Sequence, residues 1–479
     1  MKKTKCYLAA LVSGVLLVTG ILAGYGQSKK NDHLTVYLWE NRLMKNIAPY
    51  IHEQFPDQDI EFIIGNNDTD LYSYFKEHGE LPDIMTVRRF SGTDAQDLQP
   101  YLMDFASYDV VSKYYSYAVE YYKDTDDEIQ WLPICAIPQT IIANKTLFDQ
   151  YGIKVPENYE EYVQVCQQFY DKGIKPYSMD LAEDWSNQEI IQAAAIGEFT
   201  SLDGIDWRNK AETSAGEIKF DDVLWKRIFS ETSQFLKDSH FSKEDINVNI
   251  NTGTQMFVEG KSAMFHGQPT DMQKLQDQMD AELIRIPYFS QTSDSSFVYM
   301  FPSLNIAFNK ELEKNKEKLD TALDVLDCMI SEQGQKLIAD GSGVISLNTD
   351  VPSMMQNVPG LEEEIKDTSI YIRYSAQKSF DASLEAVHGL LSGKMDEMQA
   401  YNAFRSAMNS KDSKEKSTVN FENEYSILLT DTTKSILKKI NPKCAIEQIG
   451  DTTLSSAWIA AMSNGQQPSA PEDYIEVEK

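Results

Sequence analysis

Cysteine and histidine are scarce in this chain of 479 residues, which contains five cysteines and six histidines. The cysteines are widely spaced without a C-x-x-C pair, and the histidines show no metal-ligand spacing. We therefore expect neither a zinc site nor a disulfide scaffold. The motifs G-x-S-x-G, H-E-x-x-H, G-x-x-x-x-G-K-[ST] and G-x-G-x-x-G are also missing. The motif content thus indicates no catalytic residue, no metal and no cofactor.

Positively charged residues are also scarce. The chain has 44 lysines and arginines and 74 acidic residues, which gives a net charge of −30. An acidic surface repels nucleic acid and anionic membranes, so we expect neither as a partner. Such a surface suits a stable protein outside the cell, but it carries no information on what binds in a cleft.

The N-terminus contains a long uncharged run. Three lysines among the first five residues precede an uncharged stretch from Cys6 to Gly24. A short basic region followed by an apolar run and small residues is typical of a secretory signal peptide. We assign residues 1–26 to this signal peptide, and the remaining length allows two or three domains.

Strand and helix signals alternate at the start of the mature chain. Strands are predicted at residues 34–38, 60–64 and 84–87, with helices at 42–55 and 71–78 between them. A β-α-β-α-β order favours a parallel sheet.

Helical signals dominate after Asn158. Asn158 and Glu161 resemble a capping box at the start of a helix that ends before Gly173. The polar composition further on predicts an exposed linker, and apolar spacing predicts two more helices before a loose tail. These elements are expected at residues 409–418, 425–440 and 454–462.

The segment FVEGKSAM, from Phe257 to Met264, predicts a helix end, a glycine stop and a strand start. It resembles the F-x-x-G-K-x-A-M signature of the extracellular solute-binding proteins of ABC importers, carbohydrate-type family 1. Three further segments resemble the same family, in the family's order, at residues 81–84, 143–162 and 331–346. One departure is Asn158-Tyr159, where the family usually has Thr-Trp.

The resemblance implies an α/β fold with two lobes like those of periplasmic binding proteins, a hinge, and a ligand cleft between the lobes. We assign residues 32–148 and 306–350 to lobe 1, and residues 149–305 and 351–408 to lobe 2. Hinge crossings are expected near residues 148 and 305. Residues 409–479 match nothing in the family and form a C-terminal extension and tail of unknown role.

The resemblance also bears on how the protein is held outside the cell. Gram-positive members usually carry a lipobox that ends in L-A-G-C, whose cysteine receives a lipid. This chain has Leu22, Ala23 and Gly24 followed by Tyr25, which has no thiol to acylate. We therefore expect export to the extracellular face of the cell membrane without a lipid at this position. Cleavage after Gly24 or Gly26 and an uncleaved anchor are the alternatives.

Candidate ligand contacts come from the rule that ligands of open α/β sheets bind beyond the carboxyl ends of the strands. Sugars offer apolar C–H faces that stack on aromatic rings, and hydroxyl groups that need donors and acceptors. Residues of suitable chemistry lie just after the predicted strands or in a loop of lobe 2. They are Trp39, Glu40, Asn66, Arg88, Trp185, Gln188, His266, Gly267 and Tyr299.

Structural roles compete with ligand contact at several of these positions. Trp39 and Trp185 are equally compatible with core packing, since most tryptophans are largely buried. Arg88 is also compatible with a salt bridge on the surface or at the hinge. His266 is also compatible with a hydrogen-bonded polar residue near the hinge.

The resemblance implies a receptor for a neutral mono- or oligosaccharide, without catalytic activity. It would act as a monomer and deliver the sugar to the transmembrane subunits of an ABC permease. One alternative is a secreted glycoside hydrolase with two catalytic carboxylates, which a chain with 74 acidic residues could supply in many ways. Another is a surface sensor or adhesin that has kept the binding fold, because fold does not fix function.

Overall fold

A computed structural model describes most of the chain between residues 33 and 410. The described residues are 33–39, 41–65, 79, 81–87, 98–120, 122–123, 127–213, 218–339, 343–351, 358, 360–364, 369–374 and 377–410, with three short strands at 426–428, 453–455 and 475–476. The predicted signal peptide, the helix at 71–78 and the linker at 411–418 lie outside them.

The described part begins with a parallel unit of three strands. β1 (Leu34–Trp39) pairs in parallel with both β2 (Ile60–Gly65) and β3 (Ile84–Val87), and α1 (Asn41–Gln54) connects β1 to β2. β3 is buried along its whole length, as expected for a parallel strand that is covered on both faces. The predicted parallel sheet is confirmed.

The other elements follow in chain order. The described helices are α2 (Ser116–Glu120), α3 (Lys145–Tyr151), α4 (Tyr159–Tyr170), α5 (Asp184–Ala194), α6 (Ile196–Phe199), α7 (Leu202–Thr213), α8 (Asp222–Asp238), α9 (Ile250–Val258), α10 (Pro269–Gln276), α11 (Lys316–Ile330), α12 (Glu332–Ala339), α13 (Leu361–Glu364), α14 (Gln377–Leu391) and α15 (Glu397–Met408). The described strands are β4 (Leu132–Asn144), β5 (Lys175–Ser178), β6 (Ser262–Gly267), β7 (Leu283–Ile286), β8 (Tyr288–Phe289), β9 (Ser296–Phe308), β10 (Ile345–Ser346), β11 (Ser369–Ile372), β12 (Ser426–Leu428), β13 (Thr453–Ser455) and β14 (Ile475–Glu476).

Two strands of 13 residues, β4 and β9, form the middle of the main sheet. β4 pairs antiparallel with β9 and, towards its end, with β6 and β7. β9 pairs in addition with β3, β8 and β11. The strand order is β2-β1-β3-β9-β4-β6-β5. β4 and β9 therefore connect the parallel unit at one end of the sheet to β6 and β5 at the other.

Among the described residues, two large hydrophobic cores and a small third cluster around Ile142 and Phe265 lie along this sheet. The first contains side chains of β1 to β3, the first part of β4, α11 and α12. The second contains the last part of β4, β5, β6, α4, α5, α8, α14 and α15. In β4 the buried apolar side chains belong to the first core up to Ala136, whereas Ile141 and Ala143 belong to the second core and Ile142 to the small third cluster. The chain thus passes from one core to the other within β4.

β9 and β11 have one core on each face. In β9, Phe297 and Tyr299 pack into the second core, whereas Val298 packs into the first. In β11, Tyr371 packs into the second core and Ile372 into the first. Successive side chains of a strand point to opposite faces, so these two parallel strands separate the cores.

The FVEGKSAM segment folds as predicted. α9 ends at Val258, and Gly260 has a φ of +67°, a left-handed conformation that glycine adopts without a steric penalty. The Lys261 N–H donates to the Met256 carbonyl at 2.9 Å, which closes the helix end. β6 then begins at Ser262.

The cap of α4 is confirmed in part. The side chain of Asn158 accepts the N–H of Glu161 at 2.9 Å, as expected for an N-cap. The carboxylate of Glu161 accepts the N–H of Glu157 at 3.0 Å, so the reciprocal bond of the predicted capping box is replaced by one to the preceding residue. Gly173, with a φ of +74°, follows the helix.

The predicted helices at residues 425–440 and 454–462 are wrong where the structure describes them. Residues 426–428 and 453–455 are β12 and β13, which form a three-stranded antiparallel sheet with β14. The register places Leu454 beside both Ile427 and Ile475. Cross-strand apolar pairing has overridden the helical spacing here.

Among the described residues, no helix combines the length and the apolar character that a membrane span requires.

Candidate functional site

α5 is a polar helix that lies inside the second lobe. From Ser186 to Ala194 every residue is buried, although the sequence there includes asparagine, two glutamines and a glutamate. Buried polar groups require hydrogen-bond partners. The partners of these side chains therefore show which segments of the chain are bonded to α5.

Two glutamines of α5 bind the chain near and after β11. Gln188 donates to the hydroxyl of Ser379 on α14. The side-chain oxygen of Gln192 accepts from the Tyr371 hydroxyl at 2.6 Å and from the Tyr374 N–H at 3.1 Å, and its Nε2 donates to the Tyr374 carbonyl at 3.0 Å. These bonds fix the segment that leaves β11 against α5.

Glu189 gathers groups from three further parts of the chain. Its carboxylate is fully buried. It accepts from Gln139 Nε2 at 3.1 Å, lies 2.8 Å from His266 Nε2, and forms an ion pair with the Arg373 guanidinium. Gln139 lies in β4 where that strand changes cores, His266 lies near the end of β6, and Arg373 follows β11. We call these four residues the junction cluster.

His266 is a neutral member of the junction cluster. Burial lowers the pKa of His266, although the nearby Asp180 carboxylate opposes this effect. Its Nδ1 lies 2.9 Å from the Tyr288 hydroxyl and 3.3 Å from the Tyr177 hydroxyl. A neutral imidazole can donate from Nε2 to Glu189 and accept at Nδ1 from the tyrosines.

Arg373 joins the junction cluster to β9. Its guanidinium lies over the ring of Phe301, with 4.2 Å from Cζ to the ring centroid, a cation–π geometry. Its backbone N–H donates to the Met300 carbonyl at 2.9 Å. About a seventh of its side chain remains exposed, at 14%. All three segments that pass between the cores, in β4, β9 and after β11, therefore meet at this cluster.

Trp185 lies one helical turn before Glu189 on the same face of α5, because residues four apart on a helix are neighbours. Its side chain is half-buried. The backbone N–H of Trp185 donates to the carboxylate of Asp184 at 2.7 Å, and burial raises the pKa of Asp184. Trp185 thus presents a partly exposed aromatic ring beside the junction cluster.

The structure describes five of the nine predicted contact residues in full. Gln188, His266 and Tyr299 are buried, and Trp185 is half-buried. Gly267 ends β6, where a Cβ would lie 2.7 Å from Ile142 Cδ1.

The remaining four predicted residues come from the range that the sequence analysis assigned to lobe 1. Trp39 ends β1, but its side chain lies outside the described part of the structure, as do Glu40, Asn66 and Arg88. The full set therefore stays a prediction, and only its lobe 2 members are brought near one another, around α5 and β6.

Sequence reasoning missed Glu189, Arg373 and Gln139. One signal was available for Glu189, because the run Gln188 to Ile196 places a glutamate among apolar and alanine residues. A charge in such a stretch indicates a buried, paired group. No local signal distinguishes Arg373 or Gln139, since their roles depend on contacts that are distant in sequence.

A surface groove of about 580 Å³ lies elsewhere on lobe 2, between the start of α4 and the turn that connects β8 to β9. None of the predicted contact residues lines it. Among the described residues, no group of three or more histidine, cysteine or acidic side chains is arranged to hold a metal. The junction cluster, by contrast, contains one predicted contact residue, His266, and lies beside another, Trp185.

The sequence pattern of the bacterial extracellular solute-binding proteins matches residues 76–367, more than half of the chain. The chain belongs to this family of binding proteins. The Multiple sugar-binding protein of Streptococcus mutans is 24% identical over 202 residues, which cover 38% of this chain and 47% of that protein. The chain thus spans about half the length of this curated relative.

Solved structures show the same fold. A family 1 extracellular solute-binding protein from Bifidobacterium longum subsp. infantis matches with a TM-score of 0.63 at 13% identity, over 78% of this chain and 98% of that chain. A sugar transporter protein from Bacillus licheniformis, solved with stachyose, matches with a TM-score of 0.55 at 14% identity, over 78% and 98%. The predicted family resemblance and the two-lobed α/β fold are confirmed.

Proposed function

We propose that the protein captures a neutral mono- or oligosaccharide between its two lobes and delivers it to the transmembrane subunits of an ABC permease. One observation carries this proposal. The three described segments that pass between the cores, in β4, in β9 and after β11, all contact the junction cluster. A ligand bound there would touch groups attached to both cores. It would thereby stabilise a closed arrangement, because a ligand shifts a two-state equilibrium towards the state it binds better.

The ligand class rests on the relatives and on the chemistry of the junction. One relative is named a multiple sugar-binding protein and another was solved with stachyose. Trp185 and Phe301 supply aromatic surface, and Arg373 supplies a planar set of donors suited to hydroxyl groups. These features support an oligosaccharide ligand.

The lobe bounds and the contact set extend this proposal. We propose lobe 1 as residues 32–148 with 306–350, and lobe 2 as residues 149–305 with 351–408. The change of core within β4 favours a first crossing a few residues before 148. Contacts from lobe 1 would be Trp39, Glu40, Asn66 and Arg88, and contacts from lobe 2 would be Trp185, Gln188, His266, Gly267 and Tyr299. The burial of Gln188, His266 and Tyr299 favours support beneath the ligand for these three.

We further propose that the protein acts outside the cell as a monomer, without turnover of its ligand. Tyr25 stands where the lipid-bearing cysteine of related proteins would be, which favours a mature protein without a lipid at that position. Mass spectrometry of the mature N-terminus tests this point, and a diacylated terminus there would contradict it.

Replacing Trp185 by alanine tests the ligand site. We expect sugar affinity, measured by calorimetry against an oligosaccharide panel, to fall about tenfold, because a stacking surface is lost. The melting temperature without ligand should change little, since the ring is half-buried. Tyr170→Ala is the matched control, because Tyr170 is an exposed aromatic residue of α4 at 56% exposure.

Three results would contradict the proposal in different ways. A Trp185→Ala variant that melts earlier without ligand, yet binds sugar normally, would make Trp185 a core residue. If neither the wild type nor any variant binds a sugar, the ligand is not a carbohydrate of the panel and the carbohydrate assignment is wrong. Cleaved products that form in proportion to protein concentration would establish the hydrolase alternative.

A further inference from the structure

A buried ion pair connects β7 to α13. Nε of Arg285 donates to the carboxylate of Glu364 at 2.7 Å, and the two side chains are only 3% and 5% exposed. Burial removes the hydration of both charged groups, so such a pair forms only where the structure holds each partner well in place. The pair therefore links the two packed units that hold its members.

The two partners of this pair are held by different cores. Arg285 lies on β7, where the next residue, Ile286, is buried in the second core. Glu364 ends α13, where Leu361 is buried in the first core, as is Val358 just before the helix. The first core thus extends beyond residue 350, at which the proposed range of lobe 1 ends. The ion pair joins the two cores at a place outside the strands that pass between them.

A second close contact lies between the same two units. A Cβ at Gly343 would lie 2.6 Å from Cβ of Pro269. The residue after Gly343 is buried in the first core, whereas Pro269 begins α10, whose Leu275 packs with Ile142 in the third cluster. Ile142 also lies directly opposite Arg285 in the β4–β7 pairing, and opposite residues share one face of a sheet. Both contacts therefore lie on the face that carries the third cluster.

The ion pair also lies close to the junction cluster. Burial raises the pKa of Tyr288, and the charges of Arg285 and Glu364 act on this hydroxyl in opposite directions. The same hydroxyl lies 2.9 Å from Nδ1 of His266. The pair is therefore near the segments at which relative motion of the lobes is concentrated.

We propose that Arg285 and Glu364 form a latch between the two lobes, which stabilises the lobe arrangement seen in this structure. Rotation of one lobe relative to the other changes the distance between side chains that different cores hold, so the latch is made in one arrangement and broken in another. It thereby shifts the equilibrium that a bound ligand also shifts. This inference rests on the proposed function, because it assigns a regulator to the closure of the same site.

A double-mutant cycle tests the latch. The variants are Arg285→Met, Glu364→Gln and the double variant, and the probes are stachyose and maltotriose. Calorimetry measures the affinities, and small-angle X-ray scattering measures the radius of gyration without ligand. Other contacts of either side chain cancel in the cycle, because each is lost in one single variant and again in the double variant.

We expect both single variants to change the affinity in the same direction by about fivefold or more. The double variant should change it no further than either single variant, because both remove the same contact. Weaker binding should accompany a ligand-free radius that is larger on the order of 1 Å, and tighter binding a smaller radius, since closure by a ligand favours the compact arrangement.

The control for loss of a buried ion pair is Asp245→Asn. Asp245 pairs with Lys175 at 2.7 Å within the proposed lobe 2, with side-chain exposures of 6% and 15%. This variant should melt earlier but keep the wild-type radius and affinity. The same result for Arg285→Met and Glu364→Gln would overturn the latch, as would single effects that multiply in the double variant. If neither probe binds to the wild type, the carbohydrate proposal fails, whereas the ligand-free radius still decides on the latch.

Gly343→Ala tests the same interface without changing the ion pair. The new Cβ would collide with Pro269 across the two units, so the ligand-free radius should shift in the same direction as in Glu364→Gln. Gly260→Ala is the matched control, because Gly260 has a φ of +67°, against +68° for Gly343, but open space where a Cβ would lie. This comparison keeps the test decisive if a charge variant does not fold. A folded Gly343→Ala variant with the radius of Gly260→Ala would overturn the inference.

Discussion

Glu231 on α8 carries a carboxyl group in an unfavourable place for a negative charge. Burial, with the nearby Glu198 carboxylate acting in the same direction, raises the pKa of Glu231 to about 8. Glu198 makes a two-pronged contact with the guanidinium of Arg227, with both N–O distances at 2.9 Å. Glu231 therefore keeps its proton in the folded state at pH values where the unfolded chain has lost it.

The consequence is a pH-dependent loss of stability. Between the unfolded pKa of 4.5 and the folded pKa of about 8, the native state binds more protons, so the free energy of unfolding falls as pH rises. We expect Glu231→Gln to remove this slope and to raise the melting temperature at pH 8 by a few degrees. Calorimetric melting curves from pH 5 to pH 8.5 measure it.

Glu160→Gln is the control for Glu231, because Glu160 is exposed on α4. It should leave the pH profile parallel to that of the wild type. A Glu231→Gln variant whose melting temperature follows the same slope as the wild type would show that Glu231 ionises normally in the folded protein.

Single residues also show which parts of the candidate site the sequence predicts and which it does not. Trp185 and Gln188 were predicted to lie in a loop of lobe 2, which is wrong, because both lie on α5, where Trp185 is half-buried. Glu189 was not identified, because the sequence does not show that α5 is buried at every residue from Ser186 to Ala194. His266 was predicted as a ligand contact or a hinge residue, and its bonds to Glu189 and Tyr288 favour the second role.

At the scale of elements, two glycines of neighbouring segments have different reasons to be glycine. Gly260 has a φ of +67° and open space where a Cβ would lie, so only its backbone conformation demands glycine. Gly267 needs room instead, because a Cβ there would lie 2.7 Å from Ile142 Cδ1. A side chain at Gly260 would therefore cause conformational strain, whereas a side chain at Gly267 would cause overpacking.

A second substitution, Ile142→Val, should therefore affect the stability of the two glycine-to-alanine variants differently. Gly260→Ala should cost about 1–2 kcal/mol of unfolding free energy, and Gly260→Asn less, because asparagine tolerates the left-handed region. Gly267→Ala should cost about 1–3 kcal/mol, and adding Ile142→Val should recover part of the loss. Urea denaturation measures each value, and equal recovery of Gly260→Ala by Ile142→Val would contradict this division.

The elements that could be predicted are those with local signals. The strands at residues 34–38, 60–64 and 84–87 alternate with turn and helix signals, and all three appear in the structure. The full length of β9 could not be predicted, since Asn305 to Phe308 gives a strand signal but Ser296 onward is extended because it pairs with β4, β8 and β11. Pairing between strands that are distant in sequence leaves no periodic pattern in the sequence itself.

At the scale of the whole molecule, the first and second cores adjoin each other along β4, β9 and β11. β9 and β11 present one face to each core, and β4 passes between them from Ala136 to Ile141. Each core is a packed unit of its own, so relative motion of the lobes concentrates at the connecting segments. The junction cluster lies at those segments, which makes its contacts sensitive to the angle between the lobes.

Binding of a sugar at the junction should therefore change the overall shape. We expect the radius of gyration, measured by small-angle X-ray scattering, to fall on the order of 1 Å at saturating ligand as the lobes close. Trp185→Ala should show the same final value but only at higher sugar concentration, because it weakens binding without altering the hinge. Tyr170→Ala should follow the wild-type titration. A saturated complex with an unchanged radius would mean that the sugar binds to one lobe alone, and closure would then play no part in its capture.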